Sequence, residues 1–188
     1  ATSGRAVLIS GEPGVGTSRL IQAFREQVRS DDVTVLRYFC SPFYVHSALH
    51  PVLDQLERAA QLKKSDPPEV KLDKLEALLS QGTSQVTRAA ALLAPLLSIP
   101  TGERYPQLDI APERKKTLAL EALLEQLAAL ATRPVLIILE DAHWIDASST
   151  ELFQLIIHRS QRMPVMALIA YRPGFTPPWT GFPNLISL

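Results

Sequence analysis

Cysteine is almost missing from these 188 residues, and net charge is missing altogether. The one cysteine, Cys40, excludes an internal disulfide and suits a reducing compartment. The 19 Lys and Arg are matched by 19 Asp and Glu, so nothing electrostatic favours a nucleic-acid or anionic-membrane partner. No basic run exceeds the pairs Lys63-Lys64 and Lys115-Lys116, and no helical pattern carries a basic face; no direct nucleic-acid binding is expected. Long apolar runs are lacking too. Val135 to Leu139 and Val165 to Tyr171 fall far short of the roughly 20 residues that a membrane span needs, so no membrane partner is expected. The histidines His46, His50 and His158 have no metal-ligand spacing with Cys40 or one another, which disfavours zinc. The opening ATSGR, which turns apolar only at Ala6, gives no expectation of a secretory leader. These absences lead us to expect a soluble, cytoplasmic, globular piece. From a strand-like run close to the first residue and a strand-like PNLISL at the last we expect a domain excised from something longer.

What is present is apolar mass, 46% of the chain, enough for one domain with a proper core. Ala6 to Ser10 is a short apolar run closed by Gly11, the pattern of a strand buried on both faces. A helical pattern follows, with Leu20, Ile21, Phe24 and Val28 on its inner face and a break at Ser30-Asp31-Asp32. Val33 to Cys40 is rich in β-branched and aromatic residues and reads as a second strand. From Ser41 to Arg133 the character is helical, an insertion dominated by Leu and Ala. Its stripes are Leu49, Val52, Leu53, Leu56 and Ala60, then Leu72, Leu75, Leu78 and Leu79, then Val86 to Leu97, broken near Pro95. The longest stripe runs from Pro112 to Ala131, with Leu120, Leu123, Leu124, Leu127 and Leu130 inward. Strands return at Val135 to Glu140, at Val165 to Tyr171 and at Asn184 to Leu188. Between the first two lies a helix that Ser148 or Ser149 should cap, with Asp146 as the alternative. The run YRPGFTPPWTGFP reads as a loop between strands. Buried strands alternating with helices imply an α/β fold: a three-layer sandwich around a mainly parallel sheet, with a large helical insertion at 41–133 in a single domain over 1–188.

The loop after the first strand, Gly11-Glu12-Pro13-Gly14-Val15-Gly16-Thr17-Ser18, stands where a phosphate-binding loop must stand. Its glycines let backbone N–H groups converge on an anion, and the helix N-terminus adds partial positive charge behind them. Ser18 places a hydroxyl at the start of the helix, where it can ligate Mg²⁺. The pattern G-x-x-x-x-G-K-[ST] is met except at the lysine, where Thr17 stands. A threonine brings no charge to the β- and γ-phosphates. One lost charge-assisted contact costs about 1.5–3 kcal/mol, and hydrolysis should suffer more than binding because charge grows in the transition state. Arg19 is adjacent, but the helix turns it about 100° from Ser18.

Glu140 and Asp141 close the strand VLIILE, at the end where open α/β sheets bind ligands. One such acid can hold Mg²⁺ through water while its neighbour orients the attacking water. Alone, an acidic pair in this position is ordinarily a solvated loop start; beside a phosphate-type loop it gains meaning. His143 and Trp144 follow, with packing and carbonyl hydrogen bonding as their ordinary roles. Arg172 ends the next core strand, where it can contact a γ-phosphate or bridge to Glu140 or Asp141.

GEPGVGTSRL followed by LEDAHWID resembles the P-loop ATPase modules of the AAA/STAND group. They look closest to those in bacterial signalling proteins with class III adenylate cyclase or LuxR-type DNA-binding regions. CSPFYVHSALHPVLDQLERAA, KLDKLEALL, TGERYP and YRPGFTPPW extend the likeness over essentially the whole chain. The resemblance implies that Gly11 to Ser18, with Arg19 beside them, form Walker A and that Val135 to Asp141 form Walker B. Glu140 would then be the Mg²⁺-side acid, Asp141 the water-orienting one, and Arg172 the sensor arginine. It implies a sheet order of 5-1-4-3-2, with ATP and Mg²⁺ as cofactors. ATP or ADP would be the ligand, and a covalently linked output domain, a cyclase or a DNA-binding region, the partner. The Glu-then-Asp order is the reverse of the usual pair, and Thr17 is the main departure. The expected function is an ATP-binding regulatory switch with hydrolysis weak or lost. The alternatives are a competent ATPase in which another group compensates for Thr17, and a nucleotide-free scaffold that uses the helical insertion.

Overall fold

The structure, a computed structural model, describes residues 3–28, 32–105 and 107–188. Five strands form one sheet: β1 (Arg5–Ser10), β2 (Thr34–Phe39), β3 (Val135–Glu140), β4 (Val165–Tyr171) and β5 (Leu185–Ser187). Their order is β2-β3-β4-β1-β5 and every neighbouring pair is parallel. Read from the other edge, this is the order that the family resemblance implies. The α/β architecture is the expected one, and helices cover the sheet because parallel strands carry no polar face of their own.

On one face, Val7, Ile9, Leu136, Ile138, Leu168 and Ala170 pack with Ile21 of helix α1 (Thr17–Val28), and Phe24 and Val28 join them. Leu20 does not. It is 58% exposed, against the sequence expectation, because it lies about 70° around the helix from the centre of the stripe formed by Ile21, Phe24 and Val28, at its outer edge. Of the break expected after α1, Ser30 and Asp31 lie outside the described residues.

The two-residue period turns Tyr38 to the opposite face, where its ring meets Phe153 edge-on at 5.3 Å. Phe153 belongs to helix α6 (Ala147–Ser160). The cap of α6 is Asp146, not Ser148 or Ser149: its carboxylate accepts from the Ser149 N–H at 2.9 Å, and the helix begins one residue later. Ser149 instead donates its hydroxyl to Asp146 at 2.6 Å. Trp179, inside the segment that reads as a plain loop, is wholly buried and donates its indole N–H to the Thr150 carbonyl at 3.2 Å. That loop therefore carries a core residue of its own.

Between β2 and β3 the chain forms α2 (His50–Ala59), α3 (Pro68–Leu79), α4 (Val86–Leu96) and α5 (Pro112–Leu130). Two compact units result, Ala1–Val52 with Ala131–Leu188, and Leu53–Leu130. In the second, Leu72, Leu75 and Leu79 of α3 are wholly buried, as are Ala90, Leu93 and Ala94 of α4. Pro95 sits in the last turn of α4, which ends one residue later because proline offers no N–H and crowds the preceding turn. Arg104 bridges to Glu69, Asp73 and Glu76, successive acids along one side of α3, at 3.2, 2.7 and 2.8 Å. Among the described residues no helix is long and apolar enough to cross a membrane.

Candidate functional site

The site is built by the three central strands. β4 lies between β3 and β1, and all three run the same way, so the segments leaving their C-terminal ends meet on one edge. A cleft of about 490 Å³ opens there. Gly11, Glu12, Pro13, Gly14, Gly16, Thr17, Ser18 and Arg19 line one side, and Glu140, Asp141, Ala170, Tyr171 and Arg172 line the other. Such a volume falls in the range of ordinary small-ligand pockets, about 300–1,000 Å³. Of the site residues that the sequence singles out, Val15 alone is not in the lining; its side chain is 66% exposed at the loop tip. Ala170 and Tyr171 are additions that the sequence does not single out.

The loop has the backbone that anion binding needs. Gly14 and Gly16 adopt φ of 90° and 97°, left-handed values that an L side chain resists, and a Cβ at either would meet no atom within 4 Å. The Gly11 N–H is tied to the Tyr171 carbonyl at 3.2 Å, joining the loop to β4. The first intrahelical bond of α1 runs from the Leu20 N–H to the Gly16 carbonyl, so the preceding N–H groups have no partner within the helix. These free donors fit a phosphate. Thr17 is turned back on the loop: its hydroxyl occupies the space where a Cβ on Gly11 would stand. It leaves Arg19 and Arg172 as the cations that line the cleft.

The acids differ from each other. Glu140 is half-buried and paired with the Arg37 guanidinium at 2.6 Å. Arg37 comes from β2 and is not among the residues that the sequence singles out. In the parallel register it stands opposite Ile138, and the two-residue period puts Glu140 on that same face. Its guanidinium also lies over the Phe39 ring, 4.6 Å from the centroid. Asp141 is exposed, with φ 55° and ψ 40°, a left-handed conformation rare outside glycine that turns the chain sharply out of β3. It makes no side-chain cap on the 3₁₀ turn Ala142–Trp144 that follows. The bridge from Arg172 to Glu140 or Asp141, one of the two roles that the sequence allows, is absent among the described residues; Arg37 takes the glutamate instead.

His143 is buried at both ring nitrogens, and neither has a hydrogen-bond partner, so the carbonyl bond ordinary for such a histidine is not made. Burial pushes its pKa down, the Asp141 charge opposes this, and Arg172 adds to the depression. Trp144, 37% exposed, tilts against the His143 ring at 5.1 Å. No group of three or more His, Cys, Asp or Glu side chains that could hold a metal occurs among the described residues. A hydroxyl with one or two carboxylates is nevertheless what Mg²⁺ takes when a nucleotide supplies phosphate oxygens. Ser18, Glu140 and Asp141 line the same cleft.

The model of a family described as the AAA ATPase domain matches residues 1–169. An uncharacterized protein, R02095, of Rhizobium meliloti (strain 1021) is 29% identical over 185 residues. That match covers 98% of this chain, and the chain spans only 18% of that relative's length. Among solved structures, cbiO1 from Clostridium perfringens, part of the ABC transporter complex cbiONQ, is 18% identical. The match has a TM-score of 0.39 and covers 90% of this chain and 68% of that one.

Proposed function

This chain belongs to the AAA ATPase domain family, and from that premise we propose that its cleft binds ATP with Mg²⁺ as a regulatory switch in a longer signalling protein. Hydrolysis in this reading is weak or lost. The observation that carries it is the cleft itself, which unites a glycine-bent loop, a helix N-terminus, two carboxylates and an arginine from three adjacent strands. The loop N–H groups and the start of α1 hold the phosphates. Ser18 and a carboxylate from the pair Glu140 and Asp141 would hold the metal, which would supply the charge neutralisation that phosphoryl transfer demands. Arg172 contacts the terminal phosphate. Thr17 withholds the cation that would stabilise charge growing there, so binding survives better than turnover.

In the parent protein, nucleotide state would bias contacts with a covalently attached output domain, a cyclase or a DNA-binding region. The chain is then one P-loop NTPase domain, cytoplasmic, with residues 41–133 as an insertion. Titration of Mg²⁺-ATP by calorimetry tests the reading; no heat at near-millimolar nucleotide overturns it and leaves the helical insertion as a protein-binding scaffold. Phosphate release beside a Thr17→Lys variant tests the loss of hydrolysis. A native rate equal to that of the lysine variant would show that another group has compensated.

A further inference from the structure

We propose that Arg37 is a positioning residue that withholds Glu140 from the metal, leaving Asp141 as the carboxylate on the Mg²⁺ side of the cleft. The inference rests on the ATP reading above and reverses the order of the two acids that the family resemblance implies.

The two carboxylates leave β3 side by side but are committed differently. Glu140 has 15% of its side chain exposed and accepts from Arg37 at 2.6 Å across 103 residues of sequence. The guanidinium is fixed from a second side by the Phe39 ring. A cavity of about 170 Å³ adjoins this pair, lined by Ser18, Gln22, Arg25, Arg37 and Glu140 among others. Arg25 lines that cavity too, so a second basic residue shares it with Glu140. A divalent ion reaching Glu140 must displace a charge-assisted hydrogen bond and leave a guanidinium beside it, and both costs oppose binding. Asp141 bears neither cost. It is exposed and makes no ion pair among the described residues. Ser18 lines the main cleft together with Asp141, so a hydroxyl and one free carboxylate remain for the ion.

Mn²⁺ as the probe, followed by the loss of its free-ion magnetic resonance signal, separates the two acids. The 188-residue chain is titrated with and without ATP. Asp141→Asn should weaken Mn²⁺ binding at least about tenfold. Arg37→Ala should tighten it about tenfold, the scale of one charge-assisted contact, by freeing Glu140. The double variant Arg37→Ala with Glu140→Gln should lose that gain, and Arg37→Lys, which keeps a charge beside Glu140, should keep most of the native affinity. A merely structural Arg37 would alter melting without altering Mn²⁺ affinity. An Arg37→Ala chain that melts normally and binds Mn²⁺ no better than the native one overturns the proposal. So does an Asp141→Asn chain that keeps native affinity, or a native chain that takes up no Mn²⁺. The titration without ATP keeps the two readings apart. Failure to bind nucleotide, with the Mn²⁺ pattern intact, defeats the ATP reading alone.

Discussion

The carboxylate of Asp146 ties two distant turns together, accepting from the Leu49 N–H at 2.9 Å across 97 residues while it caps α6 through the Ser149 N–H. Asp146 is only 3% exposed, and Leu49 sits at φ 61°, a conformation that its own side chain disfavours. Removing the carboxylate would strand the Leu49 N–H and the Ser149 N–H and hydroxyl in the interior. Asp146→Ala should therefore cost about 2–4 kcal/mol, a lost cap plus buried unsatisfied donors. Asp146→Asn keeps an acceptor and should cost less. Urea denaturation gives both values; an alanine variant within about 0.5 kcal/mol of the native chain would mean that water replaces the carboxylate.

Gly4 predicts a different kind of loss. A Cβ there would stand 2.7 Å from the carbonyl oxygens of Met163 and Ser160, and nearer still to that of Val165. The obstacles are all backbone, so no side chain can swing aside, and the Gly4 N–H is already spent on the Ser160 carbonyl at 2.8 Å. Gly4→Ala should destabilise the sheet unit by about 3 kcal/mol. The urea midpoint is the measurement. An unchanged midpoint would mean that β1 does not enter the sheet with Arg5 opposite Met166 of β4.

Cys40 makes alkaline stability predictable. Burial, then the charges of Asp146 and Asp141, push its thiol from 9.0 up to about 12. The folded chain holds this proton where the unfolded chain releases it. The stabilising proton is therefore fully in place below pH 9, and its benefit is lost as pH climbs through the folded value. Between about pH 9 and 12 this one group should lower the unfolding free energy by about 1.4 kcal/mol per pH unit. Lysines and tyrosines titrate there too, so the contribution is read as the difference from Cys40→Ala. Parallel alkaline limbs for the two proteins would sink the assignment.

These sites show how far sequence reasoning reaches. The strands AVLIS, VLIILE and VMALIAY are legible because burial on both faces demands an unbroken apolar run. That the loop at Gly11 to Ser18 and the acids at 140 and 141 would meet at one sheet edge is legible because each directly follows a buried parallel strand. Partnerships across the chain are not. Arg37 sits in an ordinary alternating strand, and nothing local marks it as the cation for Glu140, 103 residues away. Asp146 is a cap candidate by type, yet its bond to Leu49 depends on how two loops meet. Leu20 obeys the helical period as well as Phe24 does; which side of that stripe meets the sheet is settled by packing, not by spacing.

Nucleotide itself should stabilise the fold, in a way that separates phosphate contacts from base contacts. Ligand at about 100 times its dissociation constant adds about 2.7 kcal/mol, which for a chain of this size is roughly 5–10 °C in melting temperature. Thr17→Lys restores a cation for the β- and γ-phosphates and should tighten Mg²⁺-ATP binding by about tenfold to a hundredfold. At one fixed ATP concentration the lysine variant should then melt higher than the native chain by a further margin of about 1.4–2.8 kcal/mol. AMP lacks both of those phosphates and should stabilise the two proteins equally. Its shift is the control: a gap between the variants with AMP as large as that with ATP would mean that the introduced lysine acts on the fold and not on the ligand. No gap with ATP would mean that Arg19 or Arg172, the cations lining the cleft, already supply the missing charge.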